Sequence, residues 1–530
     1  PSGTFGELRS NHFHSGLDIK TQQRQGLAVY AIGDGFVSRI KIAHWGFGKV
    51  LYVTHPQGYT SVYAHLQKFS PKLEAYIKQQ QYKKETYEIE LFPERDELLL
   101  QKKEVIGYTG NSGSSGGPHL HFEIRDQVSQ KPINPMLFGI TVKDTKPPVV
   151  NGLFVYALSD STQINQSNKM FQVPLHRQKD RTFLADTLYA AGTIGFGIDT
   201  HDSQNFTYNK NGIYALEMQV NDSLYLHYDF ETFSFDETSY INTFIDYGHY
   251  ARSKQRIQRC FVVPHNKLSI YNKKVNNGMI PIKDGLFYTI VIKARDLGNN
   301  ESIIKIPVVG KEQPIRYKKE ANITDHHLKH GVAYTHALGL VNVHFPAHTF
   351  YEDFYIDLKD NRDGTYTIHN KEIPARKSFT LNFDVSNYSI EERKKLFIAR
   401  LNEENDSIHV RTRKNGVQFS ARTKNLGTYT LAKDEEPPTI IPKNFKDNQW
   451  LSKYTQLALT IKDNISGVRD YRATINGKWI LMEYEPKTHT LTYNFSDRAV
   501  KEGTKHRLEV WVTDNVGNRT TFTSTFYRKF

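Results

Sequence analysis

Pro118-His119-Leu120-His121-Phe122-Glu123 alternates polar and apolar side chains with a period of two. That is the repeat of a β-strand with one face on a core and the other on something polar. His119, His121 and Glu123 share one face, and Leu120 and Phe122 share the other. Two imidazoles side by side can place one nitrogen on a metal and another against a metal-bound water. Taken alone, a His-x-His pair reads more readily as two exposed strand histidines, because the chain has 22 histidines and any single one says little. Glu123 reads equally as an acceptor for a histidine ring N–H or as an ordinary strand glutamate.

The segment His12-Phe13-His14-Ser15-Gly16-Leu17-Asp18 changes the balance. His14 and Asp18, with one histidine from 119/121, make a set of two imidazoles and one carboxylate with a vacant position. Structural zinc sites are usually closed four-ligand cages, often rich in thiolate, whereas catalytic sites keep three protein ligands and a water. The single cysteine, Cys260, excludes both a cysteine cage and an internal disulfide. One carboxylate leaves a dication net positive, so the pKa of its water falls from 15.7 toward ~7. No His-Glu-x-x-His motif is present to supply a glutamate base, so the remaining histidines must act as the proton acceptors.

Residues 1–140 resemble the LytM/lysostaphin-type zinc endopeptidases, which cleave peptide bonds of bacterial peptidoglycan. The resemblance rests on His14-x-x-x-Asp18, Tyr63-Ala64-His65-Leu66, the loop Gly110 to Gly117, and Pro118-His119-Leu120-His121-Phe122-Glu123, in that order. It implies one zinc per chain held by His14, Asp18 and His121, with His119 and His65 as the unligated catalytic histidines. His119 is expected to be the general base for a zinc-bound water, and His65 to orient that water or stabilise the oxyanion. It also implies peptidoglycan as the partner and export to the periplasm or cell envelope. The alternative is a catalytically silent or regulatory envelope protein, known among relatives whose ligands have decayed; here none is missing.

The rest of the chain sets this segment in a larger, mostly β protein. At about 150 residues per domain, 530 residues predict three to four domains. Asp144-Thr145-Lys146-Pro147-Pro148 and Asp434-Glu435-Glu436-Pro437-Pro438 share one pattern, and proline pairs suit the junction between β-domains. Strands ending in Asp296-Leu297-Gly298-Asn299 and Asp514-Asn515-Val516-Gly517-Asn518 repeat the same exit turn. The expected organisation is a glycine-rich β-sheet zinc peptidase domain at 1–140, followed by β-sandwich domains at 141–311, 312–433 and 434–530. These three resemble bacterial immunoglobulin-like modules. They are expected to act as spacers or docking modules, open to envelope protein partners, and to supply no ligand and no base. A fragment ending near Asp144 is therefore expected to keep zinc and to cleave a small peptide. An insertion at 69–102, opening with a helix after Ser70-Pro71, either walls the site near His65 or packs on the following β-domain.

Other features carry bland readings. The net charge of +13 is scattered, with no nucleic-acid-binding signature, and no apolar run reaches the ~18 residues of a membrane span. The stretch after Pro1 has no basic and no apolar leader region, so any secretory signal is expected to have been removed already or never to have been there. Gly110 to Gly117 lacks the Gly-Lys-Ser/Thr ending of a phosphate cradle and reads as a flexible rim beside the metal. His12 reads as groove-lining or exposed. His326 and His330, an i, i+4 pair if helical, read as a solvated face, and Cys260 as a buried strand thiol. A short helix is expected near Ser389 to Lys395.

Overall fold

In the computed structural model, which describes residues 1–205, 207–320, 322–497 and 503–529, the period-two segment is the strand His119–Asp126 near one edge of an eight-stranded sheet. The N-terminal unit contains β1 (Leu17–Lys20), β2 (Ala28–Tyr30), β3 (Gly35–Ile42), β4 (Lys49–Thr54), β5 (Tyr59–Ala64), β6 (Leu66–Phe69), α1 (Pro71–Lys84), β7 (Ile89–Leu91), β8 (Leu99–Leu100), β9 (Val105–Thr109), β10 (His119–Asp126) and β11 (Pro132–Ile133). The large sheet runs β1-β10-β5-β4-β3-β7, with β11 beside β10 and β8 beside β3; β2-β9-β6 form a small second sheet. Phe122 and Ile124 of β10 join Val37, Leu51, Tyr63 and Ile106 in the core between them, and Leu120 packs against it. The alternation thus sends His119, His121 and Glu123 to the opposite face.

Three further β-units follow. In the second, the long strand Leu188–His201 pairs antiparallel with Val149–Ala157 along its second half and parallel with Glu301–Gly310 at its start. The two expected sheets are therefore joined through one shared strand. Its glycines permit the bend: Gly192 has φ +96 and would press a Cβ onto Thr162. The third unit stacks two five-stranded sheets around Phe345, Phe379 and Tyr429. His326–Leu328 is a strand there, so the helical i, i+4 spacing of His326 and His330 does not arise. The short helix is Ile390–Lys395, with Ser389 and Glu392 forming a capping box. The last unit pairs a four-stranded with a five-stranded sheet. Cys260 is buried just beyond the strand Gln258–Arg259, and burial pushes its thiol up to about 12.

The units are not independent. Phe5 and Phe13 lie in the core of the second unit, 2% and 1% exposed, packed on Phe230, Phe233 and Phe244. Gly212 N donates to Thr4 Oγ1, Phe13 N to Thr238 Oγ1, and Asn134 N to Glu231 O. The segment preceding β1 thus seats Phe5 and Phe13 in the core of the second unit and not in that of the N-terminal sheets.

The insertion behaves differently again. It packs on the last unit rather than on the following one. Lys78 Nζ lies 2.6 Å from Asp497 Oδ1, Tyr82 meets Trp479 edge-on at 5.2 Å, and Glu85 pairs with Arg472. Lys49 of β4, its side chain 10% exposed, pairs with Glu483, which also accepts from Tyr87 Oη at 3.2 Å. Lys487 of the same unit donates to the carbonyls of Asn111 and Ser115 on the Gly110–Gly117 loop.

Candidate active site

Strand register brings the first two candidate ligands together. Asp18 of β1 sits directly opposite His121 of β10, so both side chains rise from the same face. His14 arrives from a short hairpin closed by Gly6 N to His14 O and His14 N to Glu7 O, both 2.9 Å. His14 Nε2, His121 Nδ1 and Asp18 Oδ1 form a triangle with every side 3.0 Å. All three residues are buried.

The outer contacts assign the protons. His14 Nδ1 lies 2.8 Å from Thr4 O, a carbonyl that can only accept, so Nδ1 carries the hydrogen and Nε2 the lone pair. His121 Nε2 lies 2.9 Å from Glu123 Oε1, which places its lone pair on Nδ1. Asp18 keeps Oδ2 on Arg9 Nη2 at 3.0 Å and turns Oδ1 inward. Three potential ligand atoms thus converge in a buried space that favours a positive charge, supplied in the metal-free site by a proton between His121 and Asp18.

The titration pattern expresses the same demand. Burial alone would raise the Asp18 carboxyl, yet hydrogen bonds from His119, His121 and His14 hold it well below the usual range. Burial would lower His121, but Asp18 and Glu123 outweigh it and push the imidazole up to about 9. A tetrahedral zinc, with bonds of ~2.0–2.1 Å to nitrogen and oxygen, needs ligand atoms roughly 3.3 Å apart. The triangle is within a few tenths of an ångström of that spacing. The donor set fits the ion.

Two more histidines border the triangle. His119 Nδ1 donates to Gly117 O at 2.8 Å, and its Nε2 lies 3.5 Å from Asp18 Oδ1. His65 follows β5 in a left-handed turn, φ 58, and donates Nδ1–H to Ser112 O at 2.9 Å. The two rings are 4.9 Å apart, and each has its Nδ1 held by a loop carbonyl. Burial first, then His121 and His119, bring the His65 imidazole down to about 3, so it is neutral. With its hydrogen committed to Ser112, His65 is an acceptor, suited to orienting a water and unsuited to donating to an oxyanion. His12, exposed and bonded to Asn11, does not join the cluster.

The loop expected to be a flexible rim is fastened. Gly113, at φ +70, packs so closely on the turn before β4 that a Cβ would lie 2.4 Å from Gly46 O and Gly48 N. This close approach fixes the carbonyls of Ser112 and Gly117 that orient His65 and His119.

Glu123 is a buried acceptor rather than an ordinary strand residue. Fully buried, it takes His121 Nε2–H, Ser15 Oγ–H at 2.5 Å, and Arg125 Nε at 2.6 Å. Burial would raise its carboxyl, but Arg125 and His121 bring it down to about 2. Arg125, in turn, stacks over Phe235 of the second unit at 4.5 Å. Sequence reading passed over Arg125, Ser15, Thr4 and Arg9. Arg125 was findable, since it continues the i, i+2 row of His119, His121 and Glu123; Arg9 and Thr4 carry no such signal, because their roles depend on the hairpin fold.

Two family models match parts of this chain. Residues 12–82 match the model of peptidase family M23, and residues 326–434 match that of the Zu5-like domain. DD-carboxypeptidase/endopeptidase Mpg of Neisseria meningitidis serogroup B is 30% identical over 129 residues, 24% of this chain and 23% of that protein. A metalloprotease of Haemophilus influenzae is 29% identical over 123 residues, 23% of this chain and 20% of that protein. The chain thus aligns with about a quarter or less of the length of these relatives. The catalytic domain of lysostaphin from Staphylococcus simulans is 21% identical, covering 26% of this chain and 87% of that one, with a TM-score of 0.19. The N-terminal unit of this chain carries a peptidase family M23 domain, matched over residues 12–82.

Proposed function

We propose that this protein is a zinc-dependent endopeptidase that hydrolyses peptide bonds of bacterial peptidoglycan outside the cytoplasm. The observation that carries the reading is the convergence of one ligand atom each from His14, Asp18 and His121 beside two histidines whose Nδ1 atoms are held by loop carbonyls. Bound in that triangle, zinc supplies Lewis acidity toward a scissile carbonyl and lowers the pKa of water.

The chain's own residues do the rest. His119 Nε2 takes the proton of the attacking water and returns it to the leaving amine, while Gly117 O holds the ring in the required tautomer. His65 Nε2 accepts the water's second hydrogen and aims its lone pair. Glu123 and Thr4 O hold the two ligand imidazoles with their lone pairs inward, and Arg9 keeps the Asp18 carboxylate turned to the site. The peptidoglycan substrate rests on the family likeness and on the name of the Neisseria relative; Mpg is named for both carboxypeptidase and endopeptidase activity.

The test is hydrolysis of purified peptidoglycan with and without a chelator, followed by zinc addition. New amino groups that vanish with the chelator and return with zinc are expected. A zinc-loaded protein that releases none would overturn the reading. A silent envelope protein on the same scaffold is the second reading, favoured by the seating of Lys487 on the rim loop, and that negative outcome would select it.

A further inference from the structure

The repeated motifs that punctuate the chain converge in space. Asp144, Asp202 and Asp296 each offer a carboxylate oxygen within 4.8 Å of the others, and so do Asp434, Asp463 and Asp514. The correspondence is position by position. Asp144 and Asp434 stand three residues before a Pro-Pro pair, and Asp202 and Asp463 each directly follow a strand, Leu188–His201 or Gln456–Lys462. Asp296 follows the strand Phe287–Arg295, and Asp514 closes Lys505–Asp514. The adjoining contacts repeat as well: Ser302 Oγ donates to Pro148 O and Thr520 Oγ1 to Pro438 O, each at 2.5 Å. Asn300 Nδ2 reaches Asp144 O and Asn518 Nδ2 reaches Asp434 O.

Four of these carboxylates are buried, and Asp144 and Asp463 are half-buried. Asp434 and Asp514 are fully buried, and Asp202 and Asp296 are each 3% exposed. Among the described residues, none of the six takes part in an ion pair with lysine, arginine or histidine. Backbone amides reach both oxygens of Asp434 and one oxygen each of Asp144, Asp202, Asp296 and Asp463. Asp514 Oδ1 accepts from the amides of Val516, Gly517 and Asn518, while Asp514 Oδ2 is buried with no partner. Ser466, whose amide donates to Asp434 Oδ2, keeps its hydroxyl oxygen buried and likewise unpartnered.

The first triad shows the same deficit. Gln204 is 3% exposed, its Oε1 has no partner, and it lines with Asp144, Asp202 and Asp296 one cavity of about 410 Å³. A buried carboxylate without a partner is costly, and three of like sign cost more. Two such clusters, each with a buried oxygen in it or beside it that no donor meets, call for a cation.

We propose that the two triads, Asp144–Asp202–Asp296 and Asp434–Asp463–Asp514, are structural binding sites for a hard divalent cation of the calcium type. Every ligand offered is oxygen, which selects calcium or magnesium over zinc. The irregular mixture of carboxylates with an amide or hydroxyl oxygen suits calcium's flexible coordination better than magnesium's strict octahedron. Each ion ties a domain's entry strand to its final hairpin, and the first does so beside the wall on which Phe5 is seated. This proposal is independent of the peptidase reading.

The experiment uses the full-length, zinc-loaded chain and calcium alone as the probe, with binding followed by calorimetry and thermal unfolding. Two calcium ions per chain are expected, half-saturating near ~10⁻⁴–10⁻³ M as in extracellular modules, with a rise in Tm. Asp202→Asn and Asp514→Asn should each abolish one ion, and the double variant both. Because asparagine relieves the like-charge crowding, the calcium-free variants should unfold at or above the Tm of the calcium-free parent, which separates lost binding from lost folding. Absence of calcium binding by the parent, an unchanged stoichiometry in both variants, or displacement of the ions by equimolar zinc would each overturn the proposal.

Discussion

Replacing Phe13 by alanine tests whether the second β-unit builds the metal site. The ring is 1% exposed and lies 5.3, 5.6 and 5.7 Å from Phe230, Phe233 and Phe244. A buried Phe→Ala change costs about 3–5 kcal/mol. At 1.4 kcal/mol per decade, the ratio of docked to undocked segment falls by about 10²–10⁴. His14 is the next residue, and its ring is held by Thr4 O within the same hairpin, so undocking removes one ligand of three. Apparent zinc affinity falls in proportion to the docked fraction. The whole chain need not unfold, because the other units keep their own cores. A fragment ending at Asp144 goes further, since it removes the surroundings of Phe5 and Phe13 and the acceptors and donors at Thr238, Gly212 and Glu231. Zinc competition against a chromophoric chelator, with near-ultraviolet circular dichroism for packing, measures both proteins. We expect Phe13→Ala to bind zinc more weakly and the fragment to bind it at least a hundredfold more weakly than the full chain. If the fragment keeps zinc within threefold of full length and cleaves a soluble peptide at the same rate, the second unit is only a neighbour and the reasoning fails.

Three further predictions concern the site itself. Glu123→Gln keeps the shape but sets an amide N–H₂ toward Arg125 or His121, both donors, so zinc affinity should fall on the order of 10–100-fold; an unchanged chelator titration would remove Glu123 from the site. His119→Ala should retain zinc and lose on the order of 10²–10⁴ in rate, whereas His121→Ala should lose both, and equal metal loss in the two would reverse their assignment. In the metal-free protein, the neutral burial of His65 is a pH effect of fixed sign. The unfolded imidazole takes a proton near 6.5 and the folded one only near about 3, so this residue's contribution to stability is whole above 6.5 and declines as the pH falls toward 3. His65→Gln should flatten that part of the urea-midpoint profile, and a profile identical to the parent's would refute the burial argument.

Much of this was legible in the chain because it is local. Period two told which faces of His119–Glu123 meet the core and which the site, and it holds in β10 whatever its neighbours are. The inventory of two imidazoles and a carboxylate without thiolate pointed to an open metal site, and the order of four short segments pointed to the family. Proline pairs marked the junctions of the β-units, and Ser70-Pro71 marked the start of α1, because these residues restrict their own backbone. The i, i+4 spacing of His326 and His330 would have meaning only on a helical backbone, and pairing with Phe354–Ile356 makes His326–Leu328 a strand.

Tertiary structure decided what depends on distant partners. Which histidine nitrogen faces inward is set by Thr4 O and Glu123, and the role of Glu123, evenly balanced from its position alone, is settled by four donors arriving from three residues. That the segment bearing His14 folds on the second unit, and that the insertion packs on the last one, could not be read from periodicity. Apolar patterning states that a residue needs a core but not whose, and Phe13 is satisfied by rings more than two hundred residues away. The Asp-x-x-Pro-Pro and Asp-Gly-Asn repeats likewise read along the chain as turn chemistry. Only the fold brings three such carboxylates to one point, where their crowding turns punctuation into an electrostatic demand.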